Sequence, residues 1–113
     1  MINHIQYPRT PVTIGQPIEI SVQAADPITI RVACFVNEPP PPRYSSCSEC
    51  STSVVRSGEL FTLIPDPKTW GNKRGGYEFT VIDVTGDKKM FRVNIVEASL
   101  DSSYASSFGS LAQ

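Results

Sequence analysis

Only one histidine, His4, stands in the 113 residues, and most nucleophilic chemistry goes with that scarcity. A serine or cysteine nucleophile needs a neighbouring base, and His4 sits alone near the start of the chain. No carboxylate pair occupies a recognisable acid/base frame. A glycine loop that would cradle phosphate and an HExxH pattern are both missing. The inventory therefore reads as non-enzymatic. No excess of positive charge exists either: 10 Lys and Arg face 11 Asp and Glu, for a formal net charge of −1. Nucleic-acid binding needs a concentrated basic surface, so nucleic acid is excluded as a partner, and an anionic membrane gains no support. Long apolar runs are absent, and none approaches the roughly 18 residues of a membrane span. The opening "MINHIQYPRTP" has neither the apolar centre nor the cleavage pattern of a signal peptide. Three cysteines, an odd number, do not describe a disulfide framework and fit synthesis in a reducing cytosol.

The chain does have strands. Its length is that of one domain, and 40% apolar with 19% charged residues is a folding composition. Ten prolines and seven glycines punctuate it into short elements. Period-two alternation dominates. "IEISVQA" (18–24) puts Ile18, Ile20, Val22 and Ala24 on one face. "ITIRVACFV" (28–36) does the same with Ile28, Ile30, Val32, Cys34 and Val36. Tyr77, Phe79 and Val81 share a face of "YEFTVIDV", and Phe91, Val93 and Ile95 share one of "MFRVNIVE". Shorter runs at 12–14, 51–55 and 60–64 bring the expectation to about seven strands, spaced as in a two-sheet sandwich. No internal stretch has a helical period.

"GGYEFTVIDVTGDKKMFRVNIVE" (75–97) resembles the last hairpin of bacterial and viral immunoglobulin-like domains. The shared pattern is Gly-x-Tyr-x-Phe-x-Val, then a short polar turn and an alternating strand. "TPVTIGQPIEISVQAADPITIRV" (10–32) resembles the first three strands of the same domains. The Cys…Trp…Cys core of antibody domains is not present, since Trp70 falls in a turn-rich segment. The resemblance implies an all-β, two-sheet immunoglobulin-like sandwich over residues 11–97, with an N-terminal arm (1–10) and a C-terminal docking tail (98–113). It also implies that the connections at 15–17, 37–51 and 65–76 gather at the pole from which the tail departs, with the short turns at 25–27, 56–59 and 85–89 at the other.

Three segments carry candidate contacts. "NEPPPPRYSSCSEC" (37–50) begins with a polyproline rod, Pro39 to Pro42, that delivers Arg43 and Tyr44. Rigid loops of this kind bind with little loss of entropy. "PDPKTWGNKRGG" (65–76) offers Lys68, Trp70, Lys73 and Arg74; Trp70 either stacks on a ligand or folds back to plug the end of the sandwich, and the plug is preferred. In the tail, Leu100, Tyr104, Phe108 and Leu111 are spaced to form one helical stripe that docks on a partner. The partner-binding set is accordingly Arg43, Tyr44, Trp70, Arg74, Leu100, Tyr104, Phe108 and Leu111.

Cys47-Ser48-Glu49-Cys50 has the spacing of half a zinc site. Only Cys34 and His4 remain to complete it, and no thioredoxin-like helix stands beside it for redox work. A loop-closing disulfide, formed on late exposure to oxidant, is an alternative; two unpaired thiols in a serine-rich loop are the preferred reading, with no metal or cofactor. Stand-alone immunoglobulin-like domains without export signals look like virion structural proteins. The expected function is thus a bacteriophage capsid decoration (cement) or tail accessory subunit, made in the host cytoplasm and resident in the virion. Its partners would be major capsid or tail protein subunits, with self-association as a further mode. The alternatives are a loop-based binder of a cell-surface glycan or protein, and a small zinc- or thiol-dependent protein using Cys34, Cys47 and Cys50.

Overall fold

Every inward position of the alternating runs meets another such position across a single interior. In the computed structural model, which describes residues 1–36, 50–70 and 74–97 and the backbone of 43–45, two sheets face each other. Nine strand segments lie among the described residues: β1 (Ile2–Gln6), β2 (Val12–Thr13), β3 (Ile18–Ala24), β4 (Ile28–Val36), β5 (Arg43–Ser45), β6 (Thr52–Val55), β7 (Leu60–Leu63), β8 (Gly75–Ile82) and β9 (Lys88–Val96). One four-residue helix, α1 (Pro67–Trp70), follows β7. The smaller sheet has the order β1-β3-β7. The larger runs β2-β9-β8-β4-β5, with β6 also paired to β4. This is the two-sheet β-sandwich that the alternation predicts.

The two strands beyond the expected seven have plain origins. Residues 1–10 were expected as an arm, yet Ile2–Gln6 is hydrogen-bonded to β3 as an edge strand. Ile2 is buried and Ile5 half-buried against the core, so the segment carries its own apolar anchor. The chain then crosses at Tyr7 to Pro11 and adds β2 in parallel to the end of β9. The other addition, β5, pairs with Cys34 to Val36 and turns part of the proline loop back onto β4. Residues 37–42, 46–49, 71–73 and 98–113 lie outside the described residues.

Ile18, Ile20, Ile28, Ile30, Phe79 and Val81 are fully buried. A line of aromatic contacts crosses the interior from α1 to the crossing segment. Trp70 meets Tyr77 edge-on at 5.5 Å between centroids, and Phe79 stacks on Phe91 at 5.2 Å. Tyr7 stacks on the other side of Phe91 at 4.1 Å, and the Arg9 guanidinium covers Tyr7 at 4.1 Å. Offset rings and a terminal cation are favourable arrangements of the aromatic quadrupole. They bind the crossing segment to β9.

Two glycines make the centre of the larger sheet feasible. A Cβ on Gly75 would lie 2.0 Å from the Phe35 carbonyl oxygen, and one on Gly76 would lie 2.2 Å from that of Val93. Both neighbours are backbone, so neither can swing aside.

Hydrogen bonds define the poles. Ala24 N–H donates to Ser57 Oγ (3.2 Å), Ser57 N–H donates to Asp26 Oδ1, and Gly58 N–H reaches the Val22 carbonyl at 2.8 Å. These join the turns at 25–27 and 56–59, and Val84 N–H to the Ala25 carbonyl (3.4 Å) adds the β8–β9 turn. At the far pole, Ile14 N–H donates to the Val96 carbonyl (2.9 Å) and Gly15 N–H to the Pro65 carbonyl (3.0 Å). The described parts of the long connections therefore gather where β9 ends.

Candidate interaction face

The strand register places one row of side chains across the outer surface of the larger sheet. Val54 on β6 lies beside Thr29 on β4, Thr29 beside Ile82 on β8, and Ile82 beside Lys88 on β9. The next outward row runs Thr52, Arg31, Thr80 and Met90. Val54 is 66% exposed and Met90 56%, while Ile82, Thr29 and Thr80 are half-buried between them. The result is a patch of valine, isoleucine, methionine and threonine, crossed at its centre by Arg31 and ended by Lys88. Apolar side chains interleaved with an arginine are a common composition of protein contact surfaces.

Farther along the same face, the patch changes character. Phe35 is only 1% exposed although it points away from the core. It sits beside Gly76, which offers no side chain, and the Arg92 guanidinium covers its ring at 4.7 Å. Arg92 also approaches Glu78, at 3.4 Å. Arg92 thus seals an aromatic side chain that would otherwise extend the apolar surface.

At the end of the patch, the β8–β9 turn is organised by Asp83. Its Oδ1 accepts from Thr85 N–H (2.9 Å), Thr85 Oγ1 (2.6 Å) and Asp87 N–H (3.0 Å). Its Oδ2 lies 2.5 Å from the Met1 ammonium, and Asp87 Oδ2 accepts from Ile2 N–H at 2.8 Å. The ammonium first, then the Thr85 donors, lower the Asp83 pKa to about 2 against the opposition of burial. Asp83 is buried and ionised, with its partners in the turn and at Met1, just before the first strand. It joins β1 to the far sheet and serves no visible chemistry.

The expected contact residues fare differently. Trp70 is 2% exposed and its indole N–H donates to Tyr77 Oη at 2.7 Å, so it is the plug of this pole and is withdrawn from any ligand. The local sequence explains this placement: Asp66 caps α1 through Lys68 N–H (2.9 Å), Pro67 opens the helix, and one turn later Trp70 points inward. Arg74 is exposed at the start of β8. Arg43 and Tyr44 lie on β5 beside Val36 and Phe35, with only their backbone described. The Pro39–Pro42 rod, Cys47, Lys73 and the tail residues Leu100, Tyr104, Phe108 and Leu111 lie outside the described residues.

Cys34 stands on β4, outside the serine-rich loop of the expected unpaired thiols, and is not itself an unpaired thiol. It is buried and disulfide-bonded, and Cys50 Sγ lies against it at 3.0 Å. A sulfur held in a disulfide is not a zinc ligand, so the set of Cys34, Cys47, Cys50 and His4 loses a member. His4 is exposed on β1 beside Gln23. Among the described residues no three His, Cys, Asp or Glu side chains gather around a common point.

Val54, Ile82 and Met90 were not singled out by sequence reasoning. A signal was available: "VIDV" and "KKMF" carry apolar residues on the face opposite their buried partners.

No protein-family model matches the chain, and no curated protein does. Among solved structures it is similar to a superoxide reductase (neelaredoxin) from Ignicoccus hospitalis, with a TM-score of 0.51 and 14% identity over 86% of this chain and 82% of that one. That likeness concerns the arrangement of strands.

Proposed function

We propose that this chain is a non-enzymatic structural subunit that joins a larger assembly through protein–protein contacts, as a capsid decoration or tail accessory subunit of a virion. The observation that carries the reading is the outward apolar group of Val54, Ile82 and Met90, spread over two adjacent rows of a four-strand surface. A sheet face held by continuous ladders loses little entropy on docking, because its side chains already stand in register. Arg31 within it and Lys88 at its end suit a partner surface that carries acidic side chains. The conspicuous buried acid, Asp83, is occupied in linking turn to strand. Mechanistically, the subunit adds apolar contact area to neighbouring shell or tail subunits without bond chemistry.

The test is co-sedimentation with purified particles. Wild-type protein is expected in the particle fraction, and Val54→Asp with Met90→Asp in the supernatant. Recovery of the wild-type protein only in the soluble fraction overturns the virion reading. The loop-binding alternative draws nothing from Trp70, which is interior.

A further inference from the structure

We infer that residues 98–113 dock on the chain's own surface, in a groove on the outer face of the smaller sheet. This goes beyond the reading above and does not depend on it.

The groove has a volume of about 350 Å³. Gln6, Pro8, Pro17, Glu19, Ser21 and Leu60 line it, together with Tyr7, whose ring is stacked on Phe91. Its position follows from the strand register. β1 accompanies β3 only from Ser21 to Ala24, because the chain leaves the sheet after Gln6. β7 flanks the other half, Ile18 to Ser21, on the opposite side. On the β1 side, Ile18 to Ile20 therefore has no strand beside it among the described residues. The groove lies over this half. Its walls, Pro8, Pro17 and Leu60, are apolar, and Leu60 is 57% exposed. Its other lining residues, Gln6, Glu19 and Ser21, offer hydrogen-bonding groups.

Three observations choose the occupant. The first is where the tail begins. The last residue of β9, Val96, accepts a hydrogen bond from Ile14 N–H at 2.9 Å, and Ile14 is three positions before Pro17 in the wall. Three residues span at most about 10 Å, so the tail departs within reach of one end of the groove. The second is reach. Sixteen residues extend to about 50 Å, while the seven residues of β3 cover roughly 23 Å. A segment tethered this close experiences a millimolar effective concentration, which favours its own groove over that of a second copy. The third is chemistry. Leu100, Tyr104 and Phe108 are an even number of residues apart, so an extended chain presents all three on one face with Ser102 and Ser106 between them. Large apolar anchors alternating with hydroxyls match apolar walls and polar lining groups. Asp101 is the tail's sole charged side chain and lies near its root.

Nuclear magnetic resonance on the full chain tests this directly. Nuclear Overhauser contacts are expected from the Tyr104 or Phe108 ring protons to Leu60 methyls or Pro17, unchanged on dilution. Leu60→Asp, at an exposed position, should abolish them and speed chymotryptic cleavage at Tyr104 and Phe108 severalfold. Tyr104→Ser with Phe108→Ser, which leaves the sandwich untouched, should return Glu19 and Ser21 to the shifts of an empty groove. Contacts that fade on dilution would assign the groove to a second copy and overturn the inference. So would tail contacts mapped elsewhere, or cleavage rates indifferent to Leu60. Because the measurement uses isolated protein, its outcome is separate from co-sedimentation with particles.

Discussion

The indole N–H of Trp70 donates to the hydroxyl of Tyr77 at 2.7 Å inside the sandwich, seven residues apart in sequence and on different elements. Both rings are buried. Tyr77→Phe keeps the ring and strands the indole donor, which should cost about 1–3 kcal/mol. Trp70→Ala opens a cavity at the pole and should cost about 3–5 kcal/mol. Urea unfolding followed by circular dichroism measures both. Stability unchanged in Tyr77→Phe would mean that this hydrogen bond contributes nothing.

Gly76→Ala should destabilise by about 1–3 kcal/mol or more, since the new methyl carbon must displace the backbone of β9. The same unfolding assay reads it. A neutral result would show that the strands around Val93 stand farther apart than described.

Asp83 makes stability depend on acid. Its folded pKa, about 2, is below the ordinary aspartate value of 3.8. The unfolded chain therefore takes up the proton first as pH falls. The stabilising contribution is complete above about pH 4 and disappears as pH falls through about 2. Asp83→Asn should flatten that part of the profile and lower the melting temperature at neutral pH. An acid limb identical to that of the wild type would assign it to other carboxylates.

Reduction should weaken the fold through Cys34. Loss of a disulfide costs about 2–4 kcal/mol, so the urea midpoint should fall in dithiothreitol. Cys34→Ser should start low and show no further response. Equal midpoints with and without reductant in the wild type would contradict a structural role.

Val54→Asp and Met90→Asp should each change stability by less than about 0.5 kcal/mol, because both side chains are mostly in solvent. Differential scanning calorimetry checks this, and it qualifies the pair as probes of docking.

Much of this architecture is legible in the order of residues alone. Alternation named the inward side of β3, β4, β8 and β9, because successive strand side chains must point to opposite faces and only one face can leave water. The turns were marked by glycine, proline and aspartate for equally local reasons. Composition gave the expectation of no nucleic-acid partner, since 10 basic residues stand against 11 acidic ones. What neighbours whom was decided only in three dimensions. His4 and Ile5 read as an arm until β3 supplied an edge for them. Trp70 read as a plug for the pole, but its partner, Tyr77, emerged only when α1 aimed the indole at β8. The group of Val54, Ile82 and Met90 is scattered over 37 positions and becomes one surface only when β6, β4, β8 and β9 align. Periodicity is a property of one strand, whereas register, contact and exposure belong to pairs of strands that meet across long loops.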